Sequence, residues 1–121
     1  MRPEEIKRRR TESILRELLP EALSTLDDER INTLGVNEVV CSRGRYDARV
    51  YLDGTGLDES EKSEALKRLR KVTSYLSRYV RESEGWYKSP NFRFEFDDRL
   101  EKMNHIDELF KQIEGRRDGE S

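Results

Sequence analysis

Cysteine and histidine are almost absent from this chain, with one of each, Cys41 and His105. A lone cysteine excludes an internal disulfide framework and fits a reducing compartment, so a cytoplasmic protein is expected. The two residues lie far apart with no motif between them, which leaves no nucleophilic Cys/His pair and no cluster with metal-ligand spacing. The chain has no run near the roughly 18 apolar residues of a membrane span. Its charged start, MRPEEIKRRR, is not followed by the apolar stretch a signal peptide needs. Phosphate-cradling loops are missing too. Gly54 and Gly56 precede a helical pattern but lack the lysine of a P-loop and the third glycine of a dinucleotide fingerprint. The acidic pairs Asp27-Asp28 and Asp97-Asp98 are adjacent, as in connectors, and neighbouring side chains on an extended chain point apart. No enzymatic activity, metal, cofactor, small-molecule substrate or membrane association is expected.

What the chain has in quantity is charge. Of its 121 residues, 41% are Asp, Glu, Lys or Arg against 33% apolar, for a net charge of −2. That composition allows one domain with a lean core. The charge is unevenly spread. Lys67, Arg68, Arg70, Lys71, Arg78 and Arg81 follow one another with no acidic residue among them, which leaves the rest of the chain at −8. An acidic protein that gathers positive charge on one stretch is suited to meet a polyanion there. On charge alone, a plain solvated helix face carries equal weight.

Apolar spacing supplies the framework. Pro3, Glu4 and Glu5 open a helix with a stripe from Ile14 to Leu26, and Pro20 predicts a kink or break near Leu19. Leu34–Ser42 reads as a strand bulged at Asn37-Glu38, Arg43-Gly44-Arg45 as a hairpin turn, and Tyr46–Asp53 as an alternating strand. Asp58 and Glu61 form a capping box ahead of Leu66, Leu69, Val72, Leu76 and then Tyr79 or Val80. The weak helix formers Val72-Thr73-Ser74 predict an irregular joint dividing this stretch into two helices. Phe92, Phe94 and Phe96 mark a third strand; core packing is favoured over a stacking platform for bases. Leu100, Met103, Ile106, Leu109, Phe110 and Ile113 give an amphipathic helix over 99–113. The expected fold is α+β: a three-stranded mixed sheet covered by helices on one face, one domain over residues 1–113, then a disordered charged tail over 114–121.

Binding chemistry centres on the expected joint. A second helix starting near Ser74 would present free backbone amides among Arg70, Lys71, Arg78 and Arg81, with the Thr73 and Ser74 hydroxyls able to bond phosphate or ribose. Lys67 and Arg68 extend that surface. Tyr75 and Tyr79 lie four apart, and packing is favoured over base stacking. Arg43 and Arg45 at the hairpin tip are further candidates. The basic run Lys7–Arg10, with Arg8 and Arg9, is a candidate second phosphate-binding strip.

Several pieces, in this order, carry a resemblance: Asp28-Glu29-Arg30-Ile31, Glu38-Val39-Val40-Cys41-Ser42, Ala48-Arg49-Val50-Tyr51-Leu52, Ser74-Tyr75-Leu76, and Ser89-Pro90-Asn91-Phe92-Arg93-Phe94-Glu95-Phe96-Asp97. From about Arg8 to Phe110 the chain resembles the ribosome-binding factor A family, bacterial small-subunit maturation factors built on a type II K-homology-like (KH-like) domain. The resemblance implies a non-enzymatic role on the free or immature 30S subunit, binding 16S rRNA and assisting its late processing, as a monomer when free. Two positions depart from the family. Its Ala-x-Gly kink corresponds to Val72-Thr73-Ser74 here, and its arginine shortly before the proline is missing, with Lys88 as the replacement charge. The rival readings are a generic KH-like single-stranded RNA module, against which stands the lack of a GxxG clamp, and a protein–protein adaptor.

Overall fold

The computed structural model describes residues 2–120, with side chains up to Glu114. Three helices and a three-stranded sheet follow one another as α1 (Pro3–Ser24), β1 (Val36–Cys41), β2 (Asp47–Leu52), α2 (Glu59–Glu84), β3 (Asn91–Phe96) and α3 (Arg99–Glu120), with a short 3-10 turn at Arg43–Arg45. The strand order is β1-β2-β3. β1 and β2 pair antiparallel with a register shift between Val36 and Glu38, where the alternation of the sequence breaks. β2 and β3 pair parallel, in the register Ala48↔Phe92, Val50↔Phe94 and Leu52↔Phe96. Alternation therefore turns both apolar rows to the same face.

Helices α1 and α2 close that face. Leu15, Leu19 and Leu23 from α1 meet Leu69, Leu76 and Val80 from α2 over Ala48, Val50 and Leu52, all fully buried, with Phe92 beside them. α1 runs unbroken through Pro20, against the expected break near Leu19. Proline removes one helical hydrogen bond, but the buried Leu19, Ala22 and Leu23 hold the backbone on either side of it.

The expected joint in α2 is also absent: the helix is continuous from Glu59 to Glu84. Val72, Thr73 and Ser74 each cost only a few tenths of a kcal/mol of helix propensity, roughly. Burial of Leu69, Leu76 and Val80 on both sides outweighs that sum. Thr73 also satisfies its hydroxyl locally, donating to the carbonyl of Leu69 at 2.9 Å. The helix starts on the expected capping box, with the Glu61 amide donating to the Asp58 carboxylate at 2.7 Å and the Asp58 amide to Glu61 Oε1 at 3.3 Å. It stops at Gly85, whose φ of 68° is the left-handed conformation that commonly closes a helix and that glycine adopts without strain.

α3 continues beyond Ile113 to Glu120, where a disordered tail was expected; Ser121 lies outside the described residues. Every described α3 side chain from Arg99 to Glu114 is exposed, including its apolar row. α1 and α2 already cover the apolar sheet face, so none is left for it. Its first turn is tied down by ion pairs from Arg99 to Asp97 and Glu38 and from Glu101 to Lys62.

Candidate nucleic-acid interface

A continuous α2 changes the geometry of the cationic stretch. At about 100° per residue, Lys67, Arg70, Lys71, Ser74, Arg78 and Arg81 fall within roughly one-third of the helix circumference. That arc is opposite the buried Ala65, Leu69, Leu76 and Val80. All six residues of the arc are exposed. From Lys67 to Arg81 the stripe is about 21 Å long. Among the described residues, none of its five cations is in an ion pair.

Arg68 is not part of it. Its Nη1 donates to Asp28 Oδ2 at 3.0 Å and its Nε to Glu64 Oε1 at 3.1 Å, and the hydrogen bond to Asp28 raises its pKa above the usual arginine value. Thr73 is half-buried with its hydroxyl committed to Leu69. With α2 continuous, Ser74 begins no helix, so the free backbone amides expected there are absent; its hydroxyl faces outward at the centre of the stripe. Tyr75 and Tyr79 pack as favoured, their ring centroids 6.3 Å apart and both rings against the core. Tyr75 and Thr25 share a hydroxyl–hydroxyl bond, and burial pushes the Tyr79 phenol up.

The other expected cations form a second group. Arg8, half-buried on α1, lines a surface groove with Lys7, Arg43 and Arg45, and Glu4 and Glu5 share that groove. Lys88 lines the adjoining groove with Gly44, Arg45 and Tyr46. Arg9 stands apart beside Glu12, Arg16 and Glu38. The amino end of α1, the β1–β2 turn and the carboxyl end of α2 thus meet at one basic end, towards which the α2 stripe leads. The fold brings Tyr46 and Tyr87, which no sequence motif singles out, to the same groove. Their signal was local: each sits beside a cation, as Arg45-Tyr46 and Tyr87-Lys88, in a turn bounded by glycine or proline.

Cys41 is buried, its thiol pushed up to about 11 by desolvation and then by Glu12, whose carboxylate accepts the Cys41 amide at 2.8 Å. Among the described residues no group of His, Cys, Asp and Glu is arranged to hold a metal ion. Among them, too, no helix is long and apolar enough to cross a membrane.

The model of the ribosome-binding factor A family matches residues 7–110. The chain belongs to the ribosome-binding factor A family. The ribosome-binding factor A of Campylobacter jejuni strain RM1221 is 52% identical over 113 residues, covering 93% of this chain and 94% of that one. The solved ribosome binding factor A of Thermotoga maritima superposes with a TM-score of 0.66 at 26% identity, covering 78% of this chain and 90% of that one. A homology model of the Thermus thermophilus ribosome binding factor A, as fitted into a cryo-electron microscopy map of its complex with the 30S subunit, has a TM-score of 0.59 at 22% identity, covering 71% of this chain and 90% of that one. The ribosome-binding factor A family thus accounts for the mixed sheet and the two helices across it. The continuous α2, with Val72-Thr73-Ser74 at its centre, is a property of this chain's structure.

Proposed function

We propose that this chain is a ribosome-assembly factor that binds the free or immature 30S subunit through its 16S rRNA and assists late 16S rRNA processing. The observation that carries this reading is the exposed stripe Lys67, Arg70, Lys71, Arg78 and Arg81 on the rigid face of α2, opposite the core. Cations fixed along one helix neutralise successive phosphates without reading base identity, as expected of a protein that holds an rRNA surface in place. The Ser74 hydroxyl adds a hydrogen-bond donor at the centre of that face. Arg8, Arg43, Arg45 and Lys88 supply a second set of phosphate contacts, and Arg9, apart from them beside Arg16, a further one. Family membership supports the same partner, as does the Thermus thermophilus relative fitted in its 30S complex.

The action is by binding alone, with no covalent step and no cofactor, in the cytoplasm, by a protein that is monomeric when free. Co-sedimentation with 30S, 50S and 70S particles across a salt series tests it. Binding is expected to select 30S, to weaken steeply with salt and to vanish after RNase treatment. A folded protein that binds no particle, or binds 70S equally well, refutes the reading.

A further inference from the structure

We infer that the groove between the Arg43–Arg45 turn and the segment from Gly85 to Asn91 is a site for unpaired RNA nucleotides, holding bases by stacking on Tyr46 and Tyr87. This rests on the reading that the chain binds rRNA and says what its basic end grips.

Aromatic exposure points to it first. The chain has only five Tyr, four Phe and one Trp, and most of these rings are packed on the core. Yet Tyr46 is 73% exposed and Tyr87 91% exposed, and both line one groove of about 670 Å³. Trp86, half-buried against the core, and the buried Pro90 line it with them and give it a rigid wall.

Tyr46 is also held in place. Its ring lies against Gly44, where an added Cβ would sit 2.7 Å from the ring Cε2. With a φ of 80°, Gly44 both makes the turn and gives the ring its seat. The ring's remaining surface faces water, and a flat apolar surface open to solvent is what a base stacks upon.

Charge selects the ligand class. Arg45 and Lys88 line the aromatic groove, and the neighbouring groove shares Gly44 and Arg45 with it while adding Lys7, Arg8 and Arg43 against Glu4 and Glu5. A strand whose base lies on a tyrosine therefore has cations in the same groove and the adjoining one for its phosphates. Arg45 itself sits at φ 61°, a left-handed conformation that strains any residue but glycine. That turn places the Arg45 side chain where the two grooves meet. A duplex has no free base face to offer, so the site selects open strands.

The test uses the full chain with a short unstructured RNA oligonucleotide and the same sequence closed in a hairpin stem. Emission of Trp86, the single tryptophan, and anisotropy of a labelled oligonucleotide report binding. The open strand is expected to quench Trp86 and bind more tightly than the stem. Tyr46→Ala and Tyr87→Ala are each expected to weaken it roughly 5- to 100-fold with the salt slope unchanged, since a base stack is lost and no charge. Tyr46→Phe and Tyr87→Phe keep the ring, hence the affinity, and also control for folding. Equal binding by the alanine variants, equal binding of stem and strand, or occupation of the groove by a proline-rich peptide in place of RNA would each overturn the inference. Parallel 30S co-sedimentation separates the two ideas. Salt-sensitive 30S binding without tyrosine-dependent oligonucleotide binding removes the groove alone; the opposite pattern upholds the groove and removes the 30S reading.

Discussion

Arg68 is held by two carboxylates, Asp28 at 3.0 Å and Glu64 at 3.1 Å, and so is turned away from the outward stripe of its own helix. It fastens the connector after α1 to α2, and among the described residues it is the one cation of the central run in an ion pair. Arg68→Ala is therefore expected to lower the thermal midpoint while leaving 30S affinity and its salt dependence unchanged. Arg70→Ala, Lys71→Ala and Arg78→Ala combined should do the reverse: a folded protein whose log-affinity slope against log salt is shallower by about two to three. Filter binding across a salt series checks both, and an unchanged slope in the triple variant would clear α2 of the contact.

The continuity of α2 can be measured at its weakest point. Ser74 is exposed in mid-helix, so Ser74→Gly is expected to destabilise by about 0.5 kcal/mol and Ser74→Ala to stabilise by a similar amount. A joint in this position would make the glycine neutral or favourable in urea unfolding.

Phe92 is the most deeply buried ring of β3, 8% exposed, with its centroid 6.1 Å from that of Phe94. Phe92→Ala is expected to cost about 3–5 kcal/mol in denaturant unfolding. Residual folded protein should keep the salt slope of the unmodified chain, because the ring belongs to the core and touches no RNA.

Asp97 links the end of the sheet to α3. Its carboxylate accepts from Arg99, from the Arg99 backbone and from Asn37, and these bonds hold its pKa below the usual carboxylate range. A depressed folded-state value means stability that is full above the ordinary aspartate pKa, near ~4, and is lost as pH falls through the lower folded value. Asp97→Asn should therefore melt below the unmodified protein at neutral pH, with the gap closing as the pH falls below ~4. A gap that is constant with pH would mean the carboxylate charge is not what stabilises the folded chain.

The Cys41 thiol, buried and pushed up to about 11, should resist alkylation at neutral pH in the folded protein and react at the unfolding transition. Rapid labelling under native conditions would contradict the buried position.

Much of this molecule follows from local sequence. Period-two alternation at Ala48, Val50 and Leu52 and at Phe92, Phe94 and Phe96, the Asp58–Glu61 box and the turn at Gly44 each act within a few residues, so they are readable without the fold. What was not readable depended on balance between distant parts. Pro20, at about 3 kcal/mol, and Val72-Thr73-Ser74, at a few tenths of a kcal/mol each, roughly, are genuine local weaknesses, but the leucines buried on either side outweigh them and both helices run through. The site divides in the same way. A cation-rich stretch is a property of the sequence. That Arg68 is engaged by Asp28, forty residues away, that Thr73 is tied to Leu69, and that Arg8, Arg45, Tyr46, Tyr87 and Lys88 share one end were decided by the tertiary structure. Spacing along a chain fixes only which face a side chain takes on its own element. Which faces meet is set by how the apolar rows close over one another, and that closure alone determined which charges were left for a partner.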